Sequence, residues 1–215
     1  MQGRLISFEG LDGAGKTTQM DLLERWLIDQ QVEYVRTREP GGTPLGAEIR
    51  ALLFQRPELT IAPLAEAFLF QADRAQHFAT KIVPALEAGM LVVTDRCFDS
   101  SIAYQGAARG VGTELVERLS LIATGGLVPD LTFFLDLDPQ QVYARTDVLH
   151  DQRGQREAPS RFDQESVQFH QRLRHTFLVL AQTYPERVKV IDASQTPQAM
   201  HQQIICLLQP LVYKV

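Results

Sequence analysis

The chain has 215 residues, of which 45% are hydrophobic and 22% are charged, a composition typical of one globular domain. With 21 basic and 26 acidic residues its formal net charge is −5, which disfavours a nucleic-acid-binding surface. It has no apolar run of about 18 residues that would predict a membrane span. Cys97 and Cys206 show no metal-ligand spacing, which fits a reducing cytoplasm.

Short apolar runs separated by helical stretches predict a mainly parallel sheet covered by helices on both faces. Four of the runs have the pattern of strands buried on both faces, and Val32–Thr37 is a weaker fifth. The four stronger runs are Leu5–Phe8, Leu91–Thr94, Leu131–Leu135 and Val188–Ile191.

Helix starts are marked by a capping residue followed by proline. This pattern occurs at Thr43-Pro44, Asp138-Pro139 and Thr196-Pro197. Apolar residues at near-helical spacing also predict an amphipathic helix over Arg161–Tyr184, which ends before Pro185.

The first strand runs into the sequence FEGLDGAGKTT, in which Gly10 to Thr17 match the pattern G-x-x-x-x-G-K-[ST]. A strand before the loop and a helix after it are the setting in which such a loop binds nucleotide phosphates. We expect Lys16 to bridge the β- and γ-phosphates and Thr17 to be a ligand of Mg²⁺. The expected ATP-binding residues are Gly10, Leu11, Asp12, Gly13, Ala14, Gly15, Lys16, Thr17 and Thr18.

Asp95 and Arg96 end the apolar run MLVVT, so both side chains should emerge at the carboxyl edge of the sheet, where ligands of such sheets bind. There Asp95 is placed to hold Mg²⁺ or its water, and Arg96 to bind a phosphoryl group. A structural ion pair is the alternative interpretation. A GTPase switch is disfavoured, because the chain contains no asparagine and therefore no N-K-x-D segment.

The sequence resembles the thymidylate kinase family over nearly its whole length. The motifs that carry the resemblance are, in order, FEGLDGAGKTTQ, REPGGTPLGAEIR, LFQADRAQH, DRCFDSSIAYQG, PDLTFFLDL and RFDQE. It implies a P-loop nucleoside monophosphate kinase fold, α/β, with a five-stranded parallel sheet in a single domain over residues 1–215. The implied reaction transfers a phosphoryl group from ATP, with Mg²⁺, to thymidine monophosphate (dTMP), giving dTDP and ADP.

The resemblance also implies which residues bind the acceptor nucleotide. Arg50 and Arg96 should hold the phosphate of dTMP, and Phe70 should stack on the thymine. Arg74 should hydrogen-bond a base carbonyl; its spacing from Phe70 independently places both on one helix face. The further implied acceptor-site residues are Glu39, Pro40 and Gly41 beside the phosphate, Ser101 and Gln105 at the base edge, Ser100, and Tyr104, which would lie beside the sugar and exclude a ribose 2′-hydroxyl.

The implied catalytic residues are Lys16, Arg96, Asp12 and two arginines of a lid at about 145–161. Because Ala14 stands where some relatives have a loop arginine, Arg153 and Arg156, with Arg145 just before them, should neutralise charge during transfer. Asp12 should approach the acceptor sugar or the phosphate–Mg²⁺ region. A solvated basic loop is the alternative reading of the polar stretch HDQRGQREAPS. Two features depart from the family pattern, namely Cys97 after Asp-Arg and a somewhat long lid.

The family usually forms homodimers, and apolar helix faces in Glu114–Ile122 could supply an interface. ATP and dTMP are the implied small-molecule partners, with neither nucleic acid nor membrane. Two alternatives remain open: a kinase for another nucleotide or nucleoside, and a nucleotide-binding switch that acts through a partner protein.

Overall fold

A computed structural model describes residues 3–142, 162 and 165–213. Two π-helical segments, Phe78–Ile82 and Ile102–Ala108, directly follow the helices Pro63–His77 and Phe98–Ser101. The strands are β1 (Arg4–Gly10), β2 (Tyr34–Arg38), β3 (Leu91–Asp95), β4 (Leu131–Asp136) and β5 (Val188–Asp192). The helices whose full extent is described are α1 (Lys16–Asp29), α2 (Pro44–Phe54), α3 (Pro63–His77), α4 (Val83–Glu87), α5 (Phe98–Ser101), α6 (Thr113–Thr124), α7 (Val167–Thr183) and α8 (Pro197–Val212). Residues 139–142, after Asp138, are also helical.

The five strands form one parallel sheet in the order β2-β3-β1-β4-β5, which confirms the predicted sheet. Strand β1 is central, and Ile6 is in register with Val93 of β3 and with Leu131 of β4. Because the strands are parallel, their carboxyl ends share one edge. The loop after β1 and the Asp95-Arg96 pair after β3 are therefore neighbours.

The core lies between the sheet and the helices on its faces. Phe134 of β4 stacks on Phe177 of α7 with ring centroids 4.8 Å apart, and Phe8 meets Phe133 at 5.3 Å. The expectation that the β5 run is buried on both faces was wrong, since Val190 is 44% exposed. As the edge strand, β5 has a neighbouring strand on one side only. Within the described ranges, no helix is long and apolar enough to cross a bilayer.

The capping predictions are confirmed. The Gly46 N–H donates to Thr43 Oγ1 at 3.0 Å, the Ala199 N–H donates to Thr196 Oγ1 at 3.3 Å, and Asp138 Oδ1 accepts from the Gln140 N–H at 2.8 Å.

The start of the long amphipathic helix was predicted too early. Helix α7 begins at Val167, after Ser166, whose hydroxyl accepts the Phe169 N–H at 3.2 Å. The serine satisfies an amide that would otherwise lack a partner at the helix end. Phe162 therefore lies before the helix instead of on its apolar face.

Candidate active site

The loop between β1 and α1 has the backbone of a phosphate cradle. Gly10, Gly13 and Gly15 have φ angles of 137°, 85° and 100°, a region that residues with a side chain rarely adopt. At Gly10 a Cβ would lie 2.7 Å from the Leu135 carbonyl oxygen, so this position has no room for a side chain. The loop leads directly into the N-terminus of α1, which favours an anion.

Lys16 is buried and lies along this loop. Its Nζ donates to the carbonyl oxygens of Gly10 and Leu11, both at 3.1 Å, and lies 3.4 Å from Asp12 Oδ1. Thr17 and Thr18 are exposed in the first turn of α1. The ammonium group is thus held where donor phosphates would lie.

Arg96 reaches from the end of β3 to the same loop. Its Nη2 donates to Asp12 Oδ1 at 2.7 Å and its Nη1 to Ser100 Oγ at 3.0 Å, while the guanidinium carbon lies 5.1 Å from the centre of the Tyr104 ring. Arg96 has a φ of +69°, a strained value for a residue with a side chain. Two of the expected catalytic side chains, Arg96 and Asp12, are therefore in direct contact.

Asp12 remains ionised in this setting. Desolvation acts to raise the pKa of its carboxyl, but the charges of Arg96 and Lys16 outweigh it and hold the pKa well below its ordinary value. The acidic group therefore links the two cations that the sequence analysis assigned to donor and acceptor phosphates.

Asp95 has an unsatisfied oxygen that fits a hard cation or its water. Its Oδ1 is buried and has no hydrogen-bond partner among the described residues. The described ranges hold no cluster of three His, Cys, Asp or Glu side chains suited to a metal. An Mg²⁺ ion near Asp95 and Thr17 would therefore complete its shell with nucleotide oxygens and water, as Mg²⁺ in kinases does.

One side of the site, which we call the acceptor wall, is formed by Glu39, Arg50 and Arg74. It contains a buried ion pair. Arg74 Nε donates to Glu39 Oε2 at 2.9 Å, its Nη1 to Gln71 Oε1 at 2.8 Å and its Nη2 to Ser101 Oγ at 3.1 Å. Glu39 also lies 3.0 Å from His77 Nδ1. Burial acts against ionisation of Glu39, but Arg74 and then His77 outweigh it and lower the pKa of this carboxyl.

The bend that carries Glu39 is joined to the end of α2. The Glu39–Pro40 peptide is cis, and the Pro40 carbonyl oxygen accepts from Arg50 Nη1 at 3.2 Å. The guanidinium of Arg50 lies 5.0 Å from the ring centre of Phe54. Arg50 is thus fixed against the same wall as Arg74.

An aromatic cluster occupies the space between these arginines. Phe162 lies at its centre, with ring centroids 5.3 Å from Tyr104, 5.8 Å from Phe54 and 6.5 Å from Phe70. Phe70 is only half-buried. Phe162 therefore contacts both Phe70, which was expected to stack on thymine, and Tyr104, which was expected to lie beside the sugar.

A second polar chain follows this cluster along α3 and the segment Ile102–Ala108. Gln105 Nε2 donates to Glu66 Oε1 at 2.8 Å. Arg109, whose guanidinium lies 5.2 Å from the Phe162 ring centre, donates to Glu165 Oε1 at 2.5 Å. Gln105 and Ser101, both expected to face the base, thus have buried protein partners here.

Four residues at this edge were missed by the sequence analysis: Glu9, Glu66, Arg109 and Phe162. Glu9 is an acid at the end of an apolar strand, a signal that could have singled it out, and Phe162 lies within the motif RFDQE. Burial, and then the Asp99 carboxylate, raises the pKa of Glu9 to about 8. Cys97 is a buried free thiol, and burial raises its pKa. The lid arginines Arg145, Arg153 and Arg156 lie outside the described residues.

A parallel sheet in this order, with a glycine-rich loop after its central strand and an arginine-rich wall opposite, defines a P-loop nucleoside monophosphate kinase. The family model described as Thymidylate kinase matches residues 8–204. The chain therefore belongs to the thymidylate kinase family.

Individual relatives agree. The chain is 47% identical over 200 residues to the thymidylate kinase of Gloeobacter violaceus, covering 93% of this chain and 91% of the relative. It is 48% identical over 193 residues to that of Desulfovibrio desulfuricans, covering 90% and 89%. The crystal structure of thymidylate kinase from Ehrlichia chaffeensis superposes with a TM-score of 0.76 at 32% identity, covering 97% of this chain and 100% of the other.

Proposed function

We propose that this chain transfers the γ-phosphoryl group of ATP to the 5′-phosphate of dTMP and releases dTDP and ADP. Membership of the thymidylate kinase family supports this reaction. The observation that carries it is the contact of Arg96 with Asp12 beside Lys16, which joins a donor loop to an acceptor wall. Two nucleotide phosphates bound on either side of this contact would face each other.

The donor is assigned to the glycine-rich loop. Its backbone N–H groups, the α1 N-terminus and Lys16 bind the phosphates of ATP, and Thr17 and Asp95 hold Mg²⁺ directly or through water. When bound, Mg²⁺ supplies further charge neutralisation on the donor phosphates. The unsatisfied Asp95 Oδ1 supports this assignment.

The acceptor is assigned to the arginine-rich wall and the aromatic cluster. Arg50 and Arg96 bind its phosphate, because guanidinium groups match phosphate geometry. Phe70 stacks on the base, and Tyr104 lies beside the sugar. Among the described residues, Arg74 gives four of its five N–H donors to Glu39, Gln71, Ser101 and Ser120, which leaves one for a base carbonyl.

Catalysis in this scheme is positioning and charge neutralisation. The acceptor phosphate is already an anion, so a side-chain base is unnecessary. Lys16 and Arg96 offset the repulsion between the two nucleotides as they approach in line. Arg153 and Arg156 are assigned the remaining neutralisation because the loop offers Ala14 at the position of a possible arginine.

The test is ADP release measured across nucleoside monophosphates with ATP and Mg²⁺. We expect dTMP to give the highest kcat/KM. A higher value with a uridine, cytidine or guanosine monophosphate would favour a kinase for another nucleotide. Binding of ATP without ADP production in the presence of dTMP would favour the switch.

We further propose a cytoplasmic homodimer. Helices α3 and α6 carry Leu64, Phe68, Leu115 and Ile122, which are 46%, 52%, 43% and 78% exposed. Apolar side chains this exposed are a feature of protein interfaces. Light scattering should give twice the chain mass of 24.2 kDa, and Ile122→Lys should shift the protein toward the monomer.

A further inference from the structure

Glu9 is a buried carboxyl group without an assigned role. It is 0% exposed and follows the apolar residues of β1, immediately before Gly10. Burial of an acid is unfavourable unless its oxygens are satisfied. Here Oε1 accepts the Cys97 N–H at 2.7 Å and Oε2 accepts the Ser100 hydroxyl.

Both partners of Glu9 lie next to, or in contact with, Arg96. The Arg96 N–H donates to the Phe8 carbonyl oxygen at 2.9 Å, and the Arg96 carbonyl oxygen accepts from Thr94 Oγ1 at 2.8 Å. The Glu9–Cys97 bond fixes the next peptide. Together these three hydrogen bonds hold Arg96 in a left-handed backbone conformation, which an arginine adopts only under constraint.

The side chain of Arg96 is tied to the same carboxyl group. Arg96 Nη1 donates to Ser100 Oγ at 3.0 Å, and the Ser100 hydroxyl in turn donates to Glu9 Oε2. Ser100 thus links the Arg96 guanidinium to the acid. It leaves Arg96 Nη2 directed at Asp12 Oδ1 at 2.7 Å.

We propose that Glu9 is a positioning residue for the acceptor phosphate, because it holds the backbone and guanidinium of Arg96 in the orientation that meets the phosphate loop. The inference rests on the proposed role of Arg96 in binding the phosphate of dTMP. Glu9 itself touches neither substrate in this scheme. The alternative is that Glu9 stabilises the fold alone.

The first experiment compares the affinities of dTMP and thymidine, which lacks the phosphate, by titration calorimetry. Glu9→Ala should weaken dTMP binding by about 10- to 100-fold, which lies within the range of coupling energies between contacting residues, and leave thymidine binding unchanged. Glu9→Gln keeps an acceptor for the Cys97 N–H and should lose less. Ser7→Ala, on the same strand, removes a buried hydroxyl that contacts Thr132 instead of the Arg96 turn, and should not change the dTMP-to-thymidine ratio.

A double-mutant cycle separates positioning from stability. In an Arg96→Ala background, Glu9→Ala should reduce dTMP affinity by less than about 2-fold, because the group it positions is gone. Equal losses in both backgrounds, or equal losses for dTMP and thymidine, would overturn the inference. Failure of the wild-type protein to bind or phosphorylate dTMP would instead overturn the proposed function.

Discussion

Arg96 Nη2 lies 2.7 Å from Asp12 Oδ1, although the two residues are separated by most of the first half of the chain. The contact exists because β1 and β3 are neighbours, so the loops that follow them meet. It places the proposed acceptor arginine against the donor loop. Charge neutralisation is thus preorganised, which is the arrangement that lowers the barrier to phosphoryl transfer.

Lys16→Met should lower kcat by at least about 10²–10³-fold, the usual effect of removing one preorganised donor, and leave dTMP affinity nearly unchanged. Its ammonium group contacts the phosphate loop and not the aromatic cluster. Lys189→Met is the matched control, since Lys189 lies on the edge strand β5 and, among the described residues, its Nζ donates to the Pro185 carbonyl oxygen at 2.7 Å. ADP release and dTMP calorimetry provide the measurements, and near-normal turnover would contradict the mechanism.

Phe70→Ala should raise the KM for dTMP by about 5- to 150-fold, because aromatic stacking on a base is worth about 1–3 kcal/mol. The KM for ATP should not change. Tyr213→Ala, whose ring packs against Trp26 instead of the aromatic cluster and is 48% exposed, controls for the loss of an aromatic ring. If both variants raise the KM for dTMP equally, Phe70 is not the stacking residue.

Asp99→Asn should lower the free energy of unfolding by about 3–5 kcal/mol, the usual cost of breaking a buried ion pair from one side. Asp99 is 1% exposed, and its Oδ1 accepts from Arg187 Nη2 at 2.8 Å. The surface pair Arg4–Asp130, with side chains 45% and 25% exposed, is the comparison. Asp130→Asn should cost no more than about 1 kcal/mol, and urea unfolding distinguishes the two outcomes.

The free energy of unfolding should decline as the pH rises from about 4.5 toward 8, because the Glu9 carboxyl titrates differently in the folded and the unfolded protein. Its pKa is raised by burial, and then by Asp99, from 4.5 to about 8, so in this window the folded protein holds a proton that the unfolded chain releases. The stabilisation falls by up to about 1.4 kcal/mol per pH unit. Glu9→Gln removes this group from the titration.

Glu9→Gln has to be compared with the wild-type protein because other groups titrate in or near the same pH range. Asp73, whose pKa burial and then Glu39 raise to about 6, contributes in the same direction at the acid end of the window. Desolvation lowers the pKa of His201, which has the opposite effect on stability. Unfolding free energies measured at several pH values should give a steeper decline in the wild-type protein than in Glu9→Gln. Parallel curves would contradict the prediction.

By itself the sequence determined the local features. Glycine spacing, a preceding strand and a following helix identified the phosphate loop, because each depends on residues close together in the chain. Strand positions and the caps at Thr43 and Thr196 follow from the same short-range physics. The apolar pattern wrongly predicted that β5 is buried on both faces, because periodicity does not show whether a strand lies at an edge of the sheet.

Only the tertiary structure decided which distant side chains meet. Glu9 contacts Ser100 across 91 positions and Arg74 contacts Glu39 across 35, and both contacts depend on the order of strands in the sheet. Nothing in the local pattern around Phe162 places it between Tyr104 and Phe70, because that position follows from how the chain returns to the sheet edge before α7. Local preferences determine the elements, whereas burial of a shared core determines their neighbours and thereby the site.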